Sequence, residues 1–236
     1  MKMRVLLTGA AGFIGSHMVA ALLNRGHDVV ALDYMGAGPL RGWGRAQNIW
    51  ESLSYHGNEA EAMGRLEVHV GEVSDAELLA PLLRRVDAVI HMAAESHVDR
   101  ALDGAGAGNF LRLNAGGMLN ILEVIRRMHW TGGETPRLVV VSTDEVYGGL
   151  EAGVPPVRED APLRPGNAYA ASKVAAEALA MAYLNTHSVP LAITRGCNTF
   201  GVLQHPEKLV PRTTVRLLRG QNCTMFAGAA HHSREW

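Results

Sequence analysis

The sequence predicts an α/β fold in which a doubly wound parallel sheet carries helices on both faces and leads into part of a small C-terminal domain. Along the 236 residues, short apolar runs alternate with longer segments of helical periodicity. Most of the short runs are apolar throughout, as strands are when both faces of a parallel sheet are covered. A glycine-rich segment, Thr8–Gly15, follows the first run, which indicates a tight turn between the first strand and the first helix.

Six runs are predicted as strands and five longer segments as helices. The strands are Val5–Thr8, Asp28–Leu32, Leu66–Val70, Ala88–His91, Leu138–Ser142 and Leu191–Arg195. The helices are Ile14–Asn24, Ala76–Arg84, Asn109–His129, Tyr169–His187 and Leu209–Arg219. Residues 34–65 are predicted as a long connection with one short helix around Ala46–Leu53, and residues 104–108 as a flexible turn. Residues 148–168 contain four prolines and are predicted as an irregular loop that ends at a helix-capping Asn167.

Composition and charge exclude several classes of function. Hydrophobic residues make up 47% of the chain and the net charge is −1, so a core can be buried but no general attraction to nucleic acid or an anionic membrane is expected. The two cysteines, Cys197 and Cys223, are typical of a reducing compartment, and no run is long enough to span a bilayer, so a cytoplasmic location is predicted. The histidines, His231-His232 included, lack the ligand spacing of a zinc site, so no metal is expected.

The glycines of Thr8–Gly15 predict a dinucleotide site of the Rossmann type. Gly9 permits the tight turn, Gly12 lets the backbone approach a pyrophosphate, and Gly15 lets the helix pack against the strand. The N-terminus of the following helix offers backbone N–H groups to the phosphates. Asp33 ends the second strand, where a carboxylate accepts hydrogen bonds from the ribose hydroxyls of NAD and repels the 2′-phosphate of NADP. The predicted cofactor is therefore NAD.

Further residues complete this predicted cofactor site. Arg41 and Arg45 follow in the next loop and keep NADP as the alternative. Small residues after the fourth strand would let the chain pass close to the cofactor, whereas Glu72 lies either near the adenine or in a solvated turn. The full predicted cofactor-binding set is Gly9, Gly12, Phe13, Ile14, Gly15, Asp33, Glu72, Val73, Ala93, Ala94, Tyr169 and Lys173.

Tyr169 and Lys173 form the predicted catalytic pair. They are four residues apart on a predicted helix and therefore share a face. An ammonium group near a phenol lowers the pKa of the phenol, so Tyr169 is expected to act as a base near neutral pH. Thr143, at the end of the fifth strand, can hydrogen-bond the same substrate oxygen. A surface Tyr and Lys is the alternative, but the dinucleotide motif and the strand ending in Ser-Thr favour an active site.

Two adjacent carboxylic acids, Asp144 and Glu145, follow the fifth strand. Their side chains diverge in turn geometry and can reach two atoms of one substrate. Elimination of water beside a carbonyl needs a base for the carbon-bound proton and an acid for the leaving hydroxyl, and two carboxyl groups in different environments can supply both. A loop or capping pair is the alternative. Ligands of open α/β sheets bind at the carboxyl ends of strands, which favours the catalytic interpretation.

The motifs together resemble those of the extended short-chain dehydrogenases/reductases, the NAD-dependent epimerase/dehydratase family, and most closely the dTDP-glucose 4,6-dehydratases. The resemblance covers essentially the whole chain and rests on Thr8–His17, His91–Arg100, Ser142–Gly148, Tyr169–Lys173 and Pro206–Pro211. It implies a lyase that binds a nucleotide sugar, dTDP-glucose above all. C4 of the glucose would be oxidised by NAD⁺, water would be lost across C5 and C6, and the hydride would return to C6.

The resemblance also implies roles for individual residues. Tyr169, helped by Lys173 and Thr143, would remove the 4-hydroxyl proton. Glu145 would take the C5 proton and Asp144 would protonate the departing C6 hydroxyl. Substrate contacts are implied for Ser96, Asn198, Glu207, Lys208 and Arg234. A homodimer through the two long helices is implied as well.

Some segments depart from the family pattern. Asn198–Val202, Gly71–Val73 and Leu113–Met118 differ from the usual motifs without removing a catalytic group. Family members continue beyond Trp236, so the chain is expected to comprise two parts. Residues 1–190 form a domain that binds NAD and carries the catalytic residues, and residues 191–236 form the final strand and helix and the beginning of an incomplete substrate-binding domain. Two other functions stay open: a sugar-nucleotide 4-epimerase, which needs no acidic pair, and a non-catalytic NAD-binding fragment.

Overall fold

The computed structural model describes residues 1–34, 43–62, 64–96, 106–149, 153 and 155–223. Six parallel strands form one sheet in the order β3-β2-β1-β4-β5-β6. Their bounds are β1 Arg4–Thr8, β2 Asp28–Asp33, β3 Leu66–Val70, β4 Ala88–His91, β5 Arg137–Thr143 and β6 Leu191–Gly196. The strand order reverses between β1 and β4, which is the switch point where open α/β sheets bind ligands. The predicted doubly wound parallel sheet is confirmed, and all six predicted strands are present.

Helices cover both faces of this sheet. They are α1 Phe13–Asn24, α2 Trp43–His56, α3 Glu59–Ala62, α4 Ala76–Leu83, α5 Gly106–Phe110, α6 Gly116–Trp130, α7 Ala168–His187 and α8 Leu209–Leu218. A π-helical turn, Leu111–Ala115, joins α5 to α6, and a 3₁₀ turn, Asp144–Tyr147, follows β5. Asn167 caps α7 as predicted, because its side chain accepts a hydrogen bond from the backbone N–H of Ala170 at 2.8 Å.

Two apolar layers hold the sheet between the helices. Successive strand residues point to opposite faces, so Leu6 packs with α4, α6 and α7, whereas its neighbour Leu7 packs with α1 and α2. Most of the β1 and β2 side chains are buried, as the continuous apolar runs predicted. β6 instead alternates between partly buried and exposed side chains. It pairs with β5 and so belongs to the same sheet; the expected domain boundary at residue 190 stays a prediction.

The structure corrects two expectations about helices. The segment after β2 contains the 14-residue α2 and the short α3, where only one short helix was expected. Ile49 and Leu53, one helical turn apart, are buried against α1, so tertiary packing compensates for weak periodicity. The glycines expected to form a flexible turn instead begin α5 in part, at Gly106. Within the described ranges, no helix combines the length and apolar character needed to cross a membrane.

Candidate active site

The glycine-rich loop leaves no room for side chains at two of its glycines. Gly9 has φ of 72°, and a Cβ there would lie 2.8 Å from the backbone nitrogen of Ala93. A Cβ on Gly15 would overlap the carbonyl oxygen of Gly9. Gly12 is the N-cap of α1, and no side chain caps the helix by a hydrogen bond to the first turn, to which Phe13, Ile14 and Gly15 belong. This cradle fits a phosphate-bearing dinucleotide.

Asp33 lies at the end of β2 beside this loop. The side chain is buried, with 8% exposure. Its Oδ2 accepts a hydrogen bond from the backbone N–H of Ala11 at 2.9 Å, and the backbone N–H of Gly9 donates to the carbonyl oxygen of Leu32 at 2.8 Å. Loop and strand are thus held together by backbone groups and one carboxylate. A carboxylate at this position is compatible with ribose hydroxyls and disfavours an additional phosphate.

A buried Thr8–His91 pair, which the sequence did not single out as functional, joins β1 to β4 beneath the loop. Thr8 Oγ1 lies 2.8 Å from His91 Nδ1 and accepts a hydrogen bond from the backbone N–H of Ala93 at 3.2 Å. Burial, together with the nearby positive charge of Lys173, lowers the pKa of His91 to about 3. His91 therefore stays neutral at neutral pH and links β4 to Thr8 of β1 beneath the glycine-rich loop.

The acidic pair lies on the 3₁₀ turn at the carboxyl end of β5. Thr143 is buried; its Oγ1 donates to Asp144 Oδ1 at 3.3 Å and accepts from the backbone N–H of Glu145 at 3.2 Å. Asn167 donates from Nδ2 to Glu145 Oε2 at 3.0 Å. The two carboxylates thus have different hydrogen-bond partners, and their roles as acid and base stay a prediction.

Tyr169 and Lys173 lie on one face of α7, against this turn. Lys173 is 4% exposed and donates from Nζ to the carbonyl oxygen of Val141 at 2.7 Å. Burial lowers the pKa of Lys173 to about 8, against the opposing effect of the Glu177 charge. The ring of Tyr169 contacts the buried ring of Phe110, with centroids 6.1 Å apart.

The expectation that Lys173 lowers the pKa of Tyr169 is wrong for this arrangement. Burial of the phenol and the charges of Glu145 and Asp144 raise the pKa of Tyr169 to about 12. The ammonium group of Lys173 is directed to a strand carbonyl, so its effect on the phenol does not dominate. The same shift shows that both carboxylates lie close enough to the phenol to act on it electrostatically. The three side chains therefore share one neighbourhood.

Two polar connections in this neighbourhood were missed by the sequence analysis. Asn114, in the π-helical turn, bonds Glu95 through both backbone groups and donates to Ser172 Oγ at 2.8 Å. Glu177 binds Arg195 of β6 through two guanidinium nitrogens. The available signals in the sequence were a glutamate four residues after Lys173 and an arginine in an otherwise uncharged strand.

The remaining residues predicted to bind cofactor or substrate are spread over the segments after β3, β4 and β6. Glu72 follows β3, and its carboxylate accepts hydrogen bonds from Ser74 Oγ at 2.5 Å and from Arg112 Nη1 at 3.3 Å. Val73 is buried, and its side chain packs against Gly117. Ala94 and Ser96 are exposed after β4, Asn198 and Glu207 are exposed after β6, and Lys208 is the N-cap residue of α8. Arg234 lies outside the described residues. Whether these residues contact substrate or cofactor stays a prediction.

Comparison with known proteins gives a consistent result. The family model for GDP-mannose 4,6 dehydratase matches residues 6–236. A low-salt glycan biosynthesis protein, Agl12, of Haloferax volcanii is 37% identical over 99% of this chain and 68% of its own length. A dTDP-glucose 4,6-dehydratase of Streptomyces niveus is 36% identical over 99% of this chain and 65% of its own length. The chain thus spans about two thirds of the length of these relatives.

A solved structure with the same fold contains bound ligands. The dTDP-glucose 4,6-dehydratase DesIV of Streptomyces venezuelae, crystallised with NAD and TYD, is 40% identical to this chain with a TM-score of 0.77. The match covers 92% of this chain and 63% of DesIV. The sheet, the glycine cradle and the sequence matches agree, and this chain belongs to the GDP-mannose 4,6-dehydratase family.

Proposed function

We propose that this chain is the cofactor-binding and catalytic part of an NAD-dependent lyase that converts dTDP-glucose into dTDP-4-keto-6-deoxyglucose and water. The observation that carries the proposal is the placement of two carboxylates, Asp144 and Glu145, beside the phenol of Tyr169. Oxidation of an alcohol needs one base, here the phenol, and a hydride acceptor, whereas loss of water needs an additional acid and base. The similarity to dTDP-glucose 4,6-dehydratases supports the choice of sugar nucleotide.

NAD is the proposed cofactor because the glycine cradle and the Asp33 carboxylate fit it. The backbone around Gly9 and Gly15 excludes side chains where a pyrophosphate would lie, and the first turn of α1 has no side-chain cap. NAD⁺, when bound, supplies the reversible two-electron acceptor that takes the C4 hydrogen with its electron pair and gives it back to C6. The residues of this chain then have to move the protons.

Proton transfer is divided among three side chains. Tyr169 receives the proton of the 4-hydroxyl as the C4–H bond breaks, and Thr143 orients that hydroxyl. The resulting 4-ketone acidifies the C5–H bond, whose proton Glu145 takes up. Asp144 donates its proton to the C6 hydroxyl, which leaves as water with the C6–O bond electrons. A proton returned to C5 completes the 6-deoxy product.

Lys173 supports the first of these steps by its charge. With its pKa near 8, the side chain is largely an ammonium group at neutral pH and stabilises negative charge that develops on the nearby phenol. The pKa of Tyr169, about 12 in this structure, means that such stabilisation is needed at the moment of proton transfer.

Homodimer formation through α6 and α7, which expose Leu119 and Met181, stays a prediction.

The test is Glu145→Gln, assayed with NAD⁺ and dTDP-glucose. We expect C4 oxidation, followed by the absorbance of reduced nicotinamide, to persist, while loss of water falls about 100-fold or more because the base is missing. Glu77→Gln, at an exposed position in the first turn of α4, is the matched control and should behave as wild type.

Three results would contradict the proposal in different ways. Native dehydration by Glu145→Gln would remove the role of Glu145. A galactose product from the wild-type chain would indicate a 4-epimerase. Binding of NAD without turnover of dTDP-glucose would indicate a non-catalytic binding module.

A further inference from the structure

We propose that Glu177 is a positioning residue that serves two parts of the site at once. Its carboxylate keeps the neighbouring Lys173 side chain charged, and its partner Arg195 fixes the turn that carries the two acidic residues. The catalytic half of this inference rests on the proposed function. The electrostatic half concerns a lysine of the chain itself and can be measured without turnover.

Glu177 lies one helical turn after Lys173 on α7. Residues four apart share a helix face, and both side chains point into the interior, with exposures of 2% and 4%. An isolated carboxylate at this depth would destabilise the fold, so it needs a compensating cation. Among the described residues of α7, Lys173 and Glu177 are the buried charged side chains, and they lie on the same face of the helix.

The compensating cation is Arg195, which comes from β6. Its Nε lies 3.2 Å from Glu177 Oε1 and its Nη2 lies 2.8 Å from Oε2, which is the two-pronged geometry of a strong arginine–carboxylate pair. The remaining nitrogen, Nη1, donates to Tyr147 Oη at 2.7 Å and to the carbonyl oxygen of Glu159 at 2.8 Å. The guanidinium carbon also lies 5.0 Å from the centre of the Tyr147 ring.

Tyr147 is the last residue of the turn that begins at Asp144. The turn is held at its start by Thr143 and at its end by Arg195, while the backbone N–H of Arg164 donates to the carbonyl oxygen of Val146 at 2.8 Å. The two carboxylates lie between these attachments. Loss of the Tyr147 attachment should therefore leave the turn folded but less well oriented.

The second effect of Glu177 is electrostatic. Burial lowers the pKa of Lys173 to about 8, and the negative charge of Glu177 opposes that lowering. Removing the charge should lower the pKa further, so the ammonium form would be lost at a lower pH. His91, kept neutral by burial, and the carbonyl oxygen of Val141 also face Lys173, and neither carries a charge. The charged groups nearby are Asp144 and Glu145, which act on the phenol of Tyr169, and Arg195, which is paired with Glu177. The charge that acts on the pKa of Lys173 is that of Glu177.

The test is an NMR titration of protein labelled with ¹³C at the lysine Cε. The chain has three lysines, Lys2, Lys173 and Lys208, so the Lys173 signal can be assigned by its loss in a Lys173→Arg variant. We expect Glu177→Gln to lower the Lys173 midpoint by roughly one pH unit, the size of effect that a nearby opposite charge produces. An unchanged midpoint would overturn the proposal.

Two further variants make this result specific. Glu123→Gln removes a carboxylate of α6 that likewise pairs with an arginine and a tyrosine, and it should leave the Lys173 midpoint unchanged. Glu177→Asp keeps the charge and should largely restore the wild-type midpoint. Where Glu177→Gln does not fold, a Glu177→Asp midpoint that falls by roughly one pH unit although the charge is kept, together with unaltered chemistry in Tyr147→Phe, would count against the proposal.

Tyr147→Phe tests the connection to the turn, since it removes only the phenolic oxygen. We expect loss of water from dTDP-glucose to slow roughly fivefold, as for one lost hydrogen bond, with C4 oxidation, KM and the Lys173 midpoint unchanged. Equal rates for both steps in variant and wild type would refute this half. If the wild-type chain does not turn over dTDP-glucose, the proposed function fails, while the lysine titration still decides the role of Glu177.

Discussion

The glycine-rich loop after β1 and the acidic turn after β5 lie at the same edge of the sheet, but backbone groups determine the shape of the loop and side chains that of the turn. The loop is shaped by backbone groups: Gly9 and Gly15 lie where any side chain would collide, and a single carboxylate, Asp33, ties the loop to β2. The turn is shaped by side chains, among them Asn167, which bonds Glu145. A site shaped by the backbone should lose its geometry when a substitution adds a side chain. A site shaped by side chains should lose its geometry when a substitution removes a hydrogen-bond partner.

The largest effect that separates the two regions is expected for Lys173→Met. The substitution keeps much of the side-chain volume but removes the charge beside Tyr169, so C4 oxidation should fall about 10²- to 10⁴-fold. The loop is not altered, so NAD affinity should fall only by the one contact that Lys173 is predicted to make with the cofactor, which is less than the loss in rate. Lys2→Met, at an exposed residue paired with Asp28, is the control. Single-turnover oxidation and calorimetric NAD binding measure the two quantities; an equal loss of both would contradict the separation.

Gly15→Ala should have the reverse effect and lower NAD affinity more than the rate of C4 oxidation. The added Cβ overlaps the carbonyl oxygen of Gly9, so the loop must move, and overpacking of this kind costs about 1–3 kcal/mol. We expect NAD affinity to fall roughly 10- to 100-fold. Gly108→Ala, where a Cβ meets nothing within 4 Å, is the control for a glycine outside the loop. Undiminished NAD affinity in Gly15→Ala would show that the loop does not form the cradle.

The smallest effect is expected from removing a helix cap, and it can be measured by comparing two caps, one beside the acidic turn and one away from it. Asn167 caps α7 and also donates to Glu145, whereas Asp75 caps α4 away from the acidic turn. Asn167→Ala and Asp75→Ala should each lower the free energy of unfolding by about 1 kcal/mol in denaturant titrations. Only Asn167→Ala should also slow dehydration. Equal dehydration rates for the two variants would mean that the Asn167 contact has no catalytic consequence.

This difference between the regions also explains how far the sequence could be interpreted. A backbone-built loop needs particular residue types at fixed spacing, so Gly9, Gly12 and Gly15 predicted its position and its strand–turn–helix context directly. The strands were equally visible, because burial on both faces requires continuous apolar runs. The helix α2 was underestimated because its stability comes from packing of Ile49 and Leu53 against α1.

The side-chain network was harder to predict because its members are distant in sequence. Glu177 and Arg195 are 18 residues apart and meet only when β6 pairs with β5 beside α7. The pKa of Tyr169 was expected to fall from the spacing to Lys173 alone. In the folded chain it rises, because burial and the two carboxylates outweigh a lysine that is bonded to Val141. Electrostatics of this kind depends on three-dimensional neighbours, which motif spacing does not contain.

The most direct test of the proposed reaction follows one hydrogen atom. The chain is incubated with NAD⁺ and dTDP-glucose that carries deuterium at C4, and the product is analysed by NMR and mass spectrometry. We expect the deuterium in the new C6 methyl group, because the same electron pair leaves C4 and returns to C6 while water is lost. Deuterium released entirely to the solvent, or kept at C4 of an epimerised sugar, would contradict this account.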